Sequence, residues 1–407
     1  MREKRILVTH LDALFPKVMA SQDTVFKMVK RLARDHIVDI ATTVRTDYEL
    51  AESQRNLAGV CNAFYPITPI NPADSQLRRK LHSLQFGLYH LARGYPHHYF
   101  YAGRKSVLSQ LTGIVQNAQY DVVQAEYWYM AQIFDRLEPR IFKAIDTHDV
   151  LFDKKRQELA RDYGPNPPAL KLRALGKYRE LEIACLKRAD LLIAVSSADL
   201  RTFADLKLGN QRLLVAVGQD LDYFTDRSGR DRKENIVLFY GSMGGNENID
   251  AFFRFWVRIW PTIRAAVPDA RLLVVGANPP DAIKRLHNGK VVTVTGFVED
   301  VRPYLSQAKV TVIPLDVAAG FRSRTVEVMA MGVPVVGTHR ALDNIEMEHG
   351  RQGFISDDDT EMAVHTAKLL LDDTLRQHMS KECRTFVAER YSIEATIGKL
   401  STFYTDL

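Results

Sequence analysis

Short runs of aliphatic and β-branched residues, apolar throughout instead of alternating with polar ones, recur along this 407-residue chain between stretches of helical periodicity. A strand reads this way when both of its faces are covered, as in parallel sheets flanked by helices. "RILVTH", from Arg5, is the first such run, followed by the helical "DTVFKMVKRLARD" and then "IVDIAT". "YDVVQAE", "FKAIDTH", the helical "KYRELEIACLKRAD" and "LLIAVSS" continue the series. Near Val217 the rhythm stops. "VGQDLDYFTDRSGRDRKEN" has five charged residues among its last eight and little to bury, and reads as a linker. The rhythm then restarts with "IVLFYGSMGG", the helix "NIDAFFRFWVRIWPTIRAAV", "ARLLVVGAN", "VVTVTGFV", "VTVIPL" and "GVPVVGT". The fold class predicted is α/β, with two doubly wound, Rossmann-like domains at 1–220 and 221–388 and a closing helical segment at 389–407. A chain of this length also exceeds what one core usually supports. Open α/β sheets bind ligands beyond the C-terminal ends of their strands, so the chemistry is expected in a cleft between two such edges.

Composition narrows the classes. A hydrophobic content of 46% with 26% charged residues is that of an ordinary globular protein, and excludes a disordered chain. The net charge of +6 favours anionic partners. Cys61, Cys185 and Cys383 show no metal-ligand spacing and suit small buried side chains in a reducing compartment. No signal-peptide core follows the N-terminus and no run of 18 apolar residues occurs, so a cytoplasmic location is expected.

The richest stretch is "AAGFRSRTVEVMAMGVPVVGT", Ala318 to Thr338. Val310–Leu315 is strand-like, Asp316–Thr325 is the loop leaving it, and a helix is expected from near Thr325 to Gly332. A helix N-terminus favours an anion, and Arg322 and Arg324 add two permanent cations whose planar forks match phosphate oxygens. Gly320 lets the backbone approach a ligand. Glu327, expected in the first helical turn, either accepts from the hydroxyls of a ribose or only complements the helix dipole. With the ribose reading, the stretch describes a nucleoside diphosphate site.

"GFRSRTVEVMAMGVPVV" resembles the donor-site motif of GT-B glycosyltransferases of the retaining group 1 superfamily, family four-like. "FYGSMGGNENIDAF", "VTVTGFVEDVRPYLSQAKVTVIPL" and "ERYSIEATIGKL" resemble further motifs of that superfamily in order and spacing, as do "IDTHDVLFDKKRQEL" and "ELEIACLKRADLLIAVSSAD" in the first domain. The resemblance implies two facing Rossmann-like domains, the first on the acceptor side and the second holding the donor, with the last helix crossing back to the first. It implies that Arg322 and Arg324 grip the donor diphosphate, that Glu327 binds ribose, and that His148 approaches the transferred sugar, with Asp149 as an alternative polar group. Gly241 and Ser242 would lie by the phosphates, Phe297 and Val298 would border the base, and Gly320, Phe321, Thr325 and Val326 would complete the nucleotide site. It implies retention of anomeric configuration, no tightly bound metal or other cofactor, and a UDP-, GDP- or ADP-sugar as co-substrate.

Some features depart from that pattern. Ala319 stands where many members carry a second acidic residue, and "THLDALFPKVMASQD" has no glycine where a phosphate loop would begin the first domain. Other motifs read blandly: "DLD" at 220–222 lies in the linker, Asp358, Asp359 and Thr360 cap a helix, and "GSMGGN" does not match a dinucleotide loop. From Ser75 to Tyr120 there is no Asp or Glu, while Arg78, Arg79, Lys80, Arg93, Arg104 and Lys105 are interleaved with aromatic residues. The segment 78–105 suits either an anionic acceptor or peripheral contact with the inner face of a membrane, and no nucleic-acid module is present. The expectation is a glycosyltransferase with a glycan or lipid-linked acceptor, in cell-surface polysaccharide or glycoconjugate synthesis. The alternatives are a catalytically weak scaffold subunit of the same fold, and a nucleotide-sugar epimerase or hydrolase.

Overall fold

The computed structural model describes residues 3–17, 19–69, 96–209, 211–225, 232–316 and 321–407. Seven parallel strands form the first sheet: β1 (Arg5–His10), β2 (Ile37–Thr43), β3 (Ala63–Ile67), β4 (Val122–Glu126), β5 (Phe142–Asp146), β6 (Leu191–Ala194) and β7 (Gln211–Leu214). Their order is β3-β2-β1-β4-β5-β6-β7, so the winding reverses between β1 and β4. Ile6, Leu7 and Val8 on one of these central strands and Val122 and Val123 on the other are fully buried, as continuous apolar runs require. β4 and β5 end in register, with Glu126 opposite Asp146.

A second parallel sheet contains β8 (Ile236–Tyr240), β9 (Arg271–Val275), β10 (Val292–Val294), β11 (Val310–Ile313), β12 (Val335–Gly337) and β13 (Gly353–Ile355), in the order β10-β9-β8-β11-β12-β13. The winding reverses here between β8 and β11. The helix after β8 runs from Asn246 to Arg254, passes through a π-turn at Phe255–Ile259, and resumes at Trp260–Ala266. Pro261, which has no N–H to give the preceding turn, sits at the start of the resumed helix.

The sheets belong to two units, Met1–Gly218 with Thr396–Leu407 and Gln219–Ala395. Where the chain enters and leaves the second unit, the two crossings are hydrogen-bonded to one another. Gln219 pairs with Ser392 as a parallel bridge, its N–H donating to the Tyr391 carbonyl at 2.7 Å and its carbonyl accepting from Ile393 at 3.2 Å. The last helix, Ile393–Thr405, then serves the first unit: the Tyr404 hydroxyl donates to Gln124 Oε1 at 2.6 Å, and Ser401 donates to Asp35 at 2.7 Å.

The periodic reading passes over β3, β7 and β13. β3 carries Pro66, β7 is the half-exposed edge strand "QRLL", and β13 is three residues long, so none presents an apolar run. The linker also holds more structure than its composition indicates. Arg232 is buried and donates to the carbonyls of Ser306 at 3.1 Å and of Met331 and Gly332 at 2.6 Å each, closing the C-terminal ends of two helices. Arg232→Ala should therefore destabilise the second unit by about 2–4 kcal/mol, since it strands two buried carbonyls and a part-buried one, and chemical denaturation measures the loss.

Candidate functional site

In the second unit, the C-terminal edges of β8, β9 and β10 are sewn together through backbone. Gly241 N–H donates to Val275 at 3.0 Å, Met243 N–H to Ala277 at 2.8 Å, and Gly276 N–H to Gly296 at 3.2 Å. A Cβ on Gly276 would overlap the Gly241 carbonyl, so this approach of loops exists only with glycine at that position. Asn248, on the following helix, donates to the Ser242 carbonyl at 2.7 Å and fixes the turn. The Gly276–Ala277 loop thus lies between the Gly241–Ser242 turn and the loop that presents Phe297 and Val298 directly after Gly296. Phe297 is 75% exposed, an aromatic face with no packing role of its own.

The helix after β11 spans Ser323–Ala330, two residues earlier than periodicity suggests, because Arg322 takes the N-cap position. Glu327 therefore lies one turn inside the helix and not in its first turn, too far in to act mainly on the dipole. It is held from the side: the Tyr240 hydroxyl, at the end of β8, donates to Glu327 Oε2 at 2.8 Å. Burial and then the Glu327 charge push the Tyr240 phenol upward, while Arg324, 5.8 Å from the Tyr240 ring centre, opposes them. Arg324 is exposed and Arg322 half-buried. Burial lowers Arg322 against the pull of the Glu247 carboxylate, with Arg324 adding to the lowering, and its Nε has no hydrogen-bond partner among the described residues. A desolvated cation with an unmet donor beside a second cation is a place where an anion is stabilised.

The structure thus gathers Arg324 and Glu327 around Tyr240, with Arg322 beside Arg324 and with Gly241 and Ser242 next in the chain. Thr325 and Val326 are buried with their side chains in the core, and Phe321 packs on Tyr391 with ring centres 5.5 Å apart. Gly320 and Ala319 lie outside the described residues, as does most of the basic segment 78–105.

In the first unit, His148 follows β5 with a left-handed backbone, φ 55°, and Tyr127 follows β4 with φ 66°. Two non-glycine residues in that region side by side at a sheet's C-terminal edge store strain of about 1–3 kcal/mol each, which surrounding contacts must hold in place. Tyr127 N–H donates to the Asp146 carbonyl at 2.8 Å, and the Tyr127 and His148 rings lie 4.4 Å apart. His148 Nε2 meets the buried Glu126 Oε2 at 2.7 Å, and the His148 backbone N–H donates to Asp146 Oδ1 at 3.2 Å. Gln124 donates to the other Glu126 oxygen at 2.7 Å. Burial alone would lower the imidazole, but the Asp146 charge and the Glu126 bond outweigh it and raise His148 to about 9. Burial and the Asp146 charge raise Glu126 to about 7 against the pull of His148. Between those values the pair is an imidazolium and a carboxylate.

Glu126, Asp146 and His148 place their ligand atoms within 4.8 Å of one another, a grouping with the chemistry to meet a cation. In this structure the 2.7 Å contact pairs Glu126 with the imidazole. Asp149 faces Lys154 at 3.2 Å instead. Sequence reasoning missed Glu126, Tyr127 and Tyr240. A glutamate ending the apolar run "YDVVQAE", level with the Asp of "FKAIDTH", was the available signal for the first.

Comparison with known proteins bears on the second unit first. Residues 234–373 match the family described as glycosyl transferases group 1. This region is a group 1 glycosyl transferase domain. The chain is also 29% identical over 238 residues to N-acetyl-alpha-D-glucosaminyl L-malate synthase of Bacillus anthracis. That match covers 54% of this chain and spans 61% of the length of the relative. Among solved structures, sucrose-phosphate synthase from Thermosynechococcus elongatus superposes with a TM-score of 0.66 at 17% identity over 99% of both chains. HepE of Anabaena, solved with UDP and glucose, gives 0.63 at 14% identity over the full length of both. A variant of S. aureus TarM, solved with fondaparinux, α-GlcNAc-glycerol and UDP, gives 0.65 at 12% identity over 98% of this chain and 99% of that one. The group 1 domain and these likenesses fix the fold as GT-B.

Removing the Glu126 carboxylate removes an acceptor that stabilises the charged imidazole. Glu126→Gln should therefore lower the His148 pKa from about 9 by one unit or more, read from its ring protons by NMR. Folding holds this proton in a range where an unfolded histidine, near 6.5, has released it. The wild type should therefore lose stability as pH rises from about 6.5 through about 9, and Glu126→Gln should flatten that slope.

Proposed function

We infer that the chain transfers a sugar from a nucleotide-sugar donor to a glycan or lipid-linked acceptor, with retention of anomeric configuration, in cell-surface polysaccharide or glycoconjugate synthesis. The observation that carries this reading is the set of groups around Tyr240. Arg322 and Arg324 supply two cations at the start of a helix, and Glu327 is oriented by a phenol one turn further in. Two charges fit a diphosphate, and a fixed carboxylate fits a vicinal diol, at a spacing set by one helical turn. The exposed Phe297, with Val298, gives the base a face to lie on beyond the Gly241–Ser242 turn. The departing diphosphate would leave against the two guanidinium groups, which is electrostatic stabilisation without a proton transfer.

His148 belongs to this reading as the first unit's contribution. Held as a cation by Glu126 and Asp146, it would donate a hydrogen bond to an oxygen of the transferred sugar. A UDP-sugar is the donor to test first, because solved neighbours hold UDP and one holds glucose beside it. GDP- and ADP-sugars are the comparison set. No helix among the described residues is long and apolar enough to cross a membrane. A lipid-linked acceptor would then be met by peripheral contact at the inner face of the membrane, where the basic segment 78–105 is one candidate element.

The decisive test is a thermal-shift panel of UDP, GDP, ADP and their sugar conjugates on the wild type, Arg322→Ala and Glu327→Ala. A nucleotide at 100 times its dissociation constant should stabilise the wild type by about 2.7 kcal/mol, and both variants should lose the response. If no nucleotide shifts the wild type, the donor reading fails and the scaffold alternative takes its place. Tyr240→Phe unpins Glu327 without removing it. It should weaken binding about five- to tenfold while leaving the phosphate contribution, seen with inorganic diphosphate, unchanged.

A further inference from the structure

In the first unit, the helices Leu151–Tyr163 and Ala169–Leu186 form a hairpin. Its base is built as core. Glu182 is buried and accepts from the N–H groups of Leu151 at 2.9 Å and Phe152 at 2.8 Å. Phe152 and Tyr178 are buried too, and the Tyr178 ring meets Trp128 edge-on at 5.4 Å.

The outer half follows different rules. No residue from 155 to 177 is buried. Leu170 is 78% exposed, Leu172 49% and Tyr163 43%, three large apolar side chains within ten positions at the tip. Between Lys154 and Arg179 the sequence has eight Lys or Arg and two acidic residues, and four of those cations, Lys154, Arg156, Arg161 and Lys177, are paired with Asp149, Asp153, Asp162 and Glu180. Asp162 is already paired with Arg161 at 3.0 Å. Lys171 and Arg173 meet no carboxylate among the described residues, and they occupy the start of a helix, where the dipole favours acids. Apolar side chains left in water and cations at the unfavourable helix end return nothing to folding. Such local conflicts mark a surface that meets something outside the chain.

We propose that the tip of this hairpin docks on an anionic lipid surface, with Tyr163, Leu170 and Leu172 entering the headgroup layer and Lys171 and Arg173 against lipid phosphates. The pattern distinguishes a bilayer from a protein partner. A protein interface wants a contiguous apolar core of several hundred Å², whereas scattered apolar anchors among cations are what an interface of headgroups accepts. Pro165, Pro167 and Pro168 stiffen the turn between the helices, so the tip meets the surface preformed. This docking does not depend on the donor site and is read without nucleotide or turnover.

The test is co-sedimentation of the full chain with extruded vesicles of phosphatidylcholine, alone or with about a third phosphatidylglycerol. The wild type should sediment with the anionic vesicles, bind the neutral ones about tenfold more weakly or less, and be released as salt screens the charges. Leu170→Asp with Leu172→Asp, and separately Lys171→Glu with Arg173→Glu, should each weaken binding about tenfold or more, with melting temperature unchanged because these sites are exposed. The proposal is overturned if the wild type ignores anionic vesicles, or if both double variants bind as the wild type does. It is equally overturned if the leucine variant converts an oligomer into a monomer on gel filtration without lipid, since a second copy would then cover the tip.

Discussion

Parallel strands leave a sheet along one edge, and in each unit that geometry does most of the functional assembly. Glu126 ends β4 and Asp146 ends β5 in register, so Tyr127, directly after β4, and His148, two residues past β5, arrive side by side although they are 21 positions apart. In the other sheet Tyr240 ends β8, and the helix after β11 begins beside it because β8 and β11 are neighbours at the reversal of winding. Loops leaving such a reversal diverge to opposite faces and open a crevice, where a ligand meets strand ends and a helix start together. The backbone ties among Gly241, Gly276 and Gly296 keep the edge from fraying.

The two candidate regions use charge in opposite ways. Around His148 the carboxylates outnumber the imidazole and burial isolates them from water, so a proton is retained well above its usual range. Around Glu327 the two cations are matched by a second carboxylate, Glu247, and burial works against Arg322. The first region is neutralised from within by its own residues. The second keeps a desolvated cation with an unmet donor, which an anion from outside would satisfy. Both conditions carry a cost in the free protein, as pre-organised sites generally do.

What the sequence made legible follows from range. Arg322, Arg324 and Glu327 lie within six positions on one helix, so their joint chemistry could be read directly, and the apolar runs announced the central strands of both sheets. Tyr240, 87 positions before Glu327, could not be joined to it without the register of β8. Glu126 looked like the polar end of a strand, and its meeting with His148 depends on a left-handed backbone that no propensity predicts for histidine. Edge strands β3, β7 and β13 were illegible because Pro66 interrupts the first, the second is half-exposed and the third is only three residues long. Arg232 was hidden in a charged run, since composition cannot tell a solvated arginine from one that closes two helices.

The hydrogen-bonded crossing at Gln219 and Ser392 has a modular consequence. A stretch of 177 residues, Gln219 to Ala395, begins and finishes where its own two ends are already joined. Such a cassette can be exchanged between chains of this architecture by two splices at a single point in space. The recipient would supply everything else, including the terminal helix whose Tyr404 supports Gln124. One unit could thus be recombined with a different version of the other, without redesign of either core.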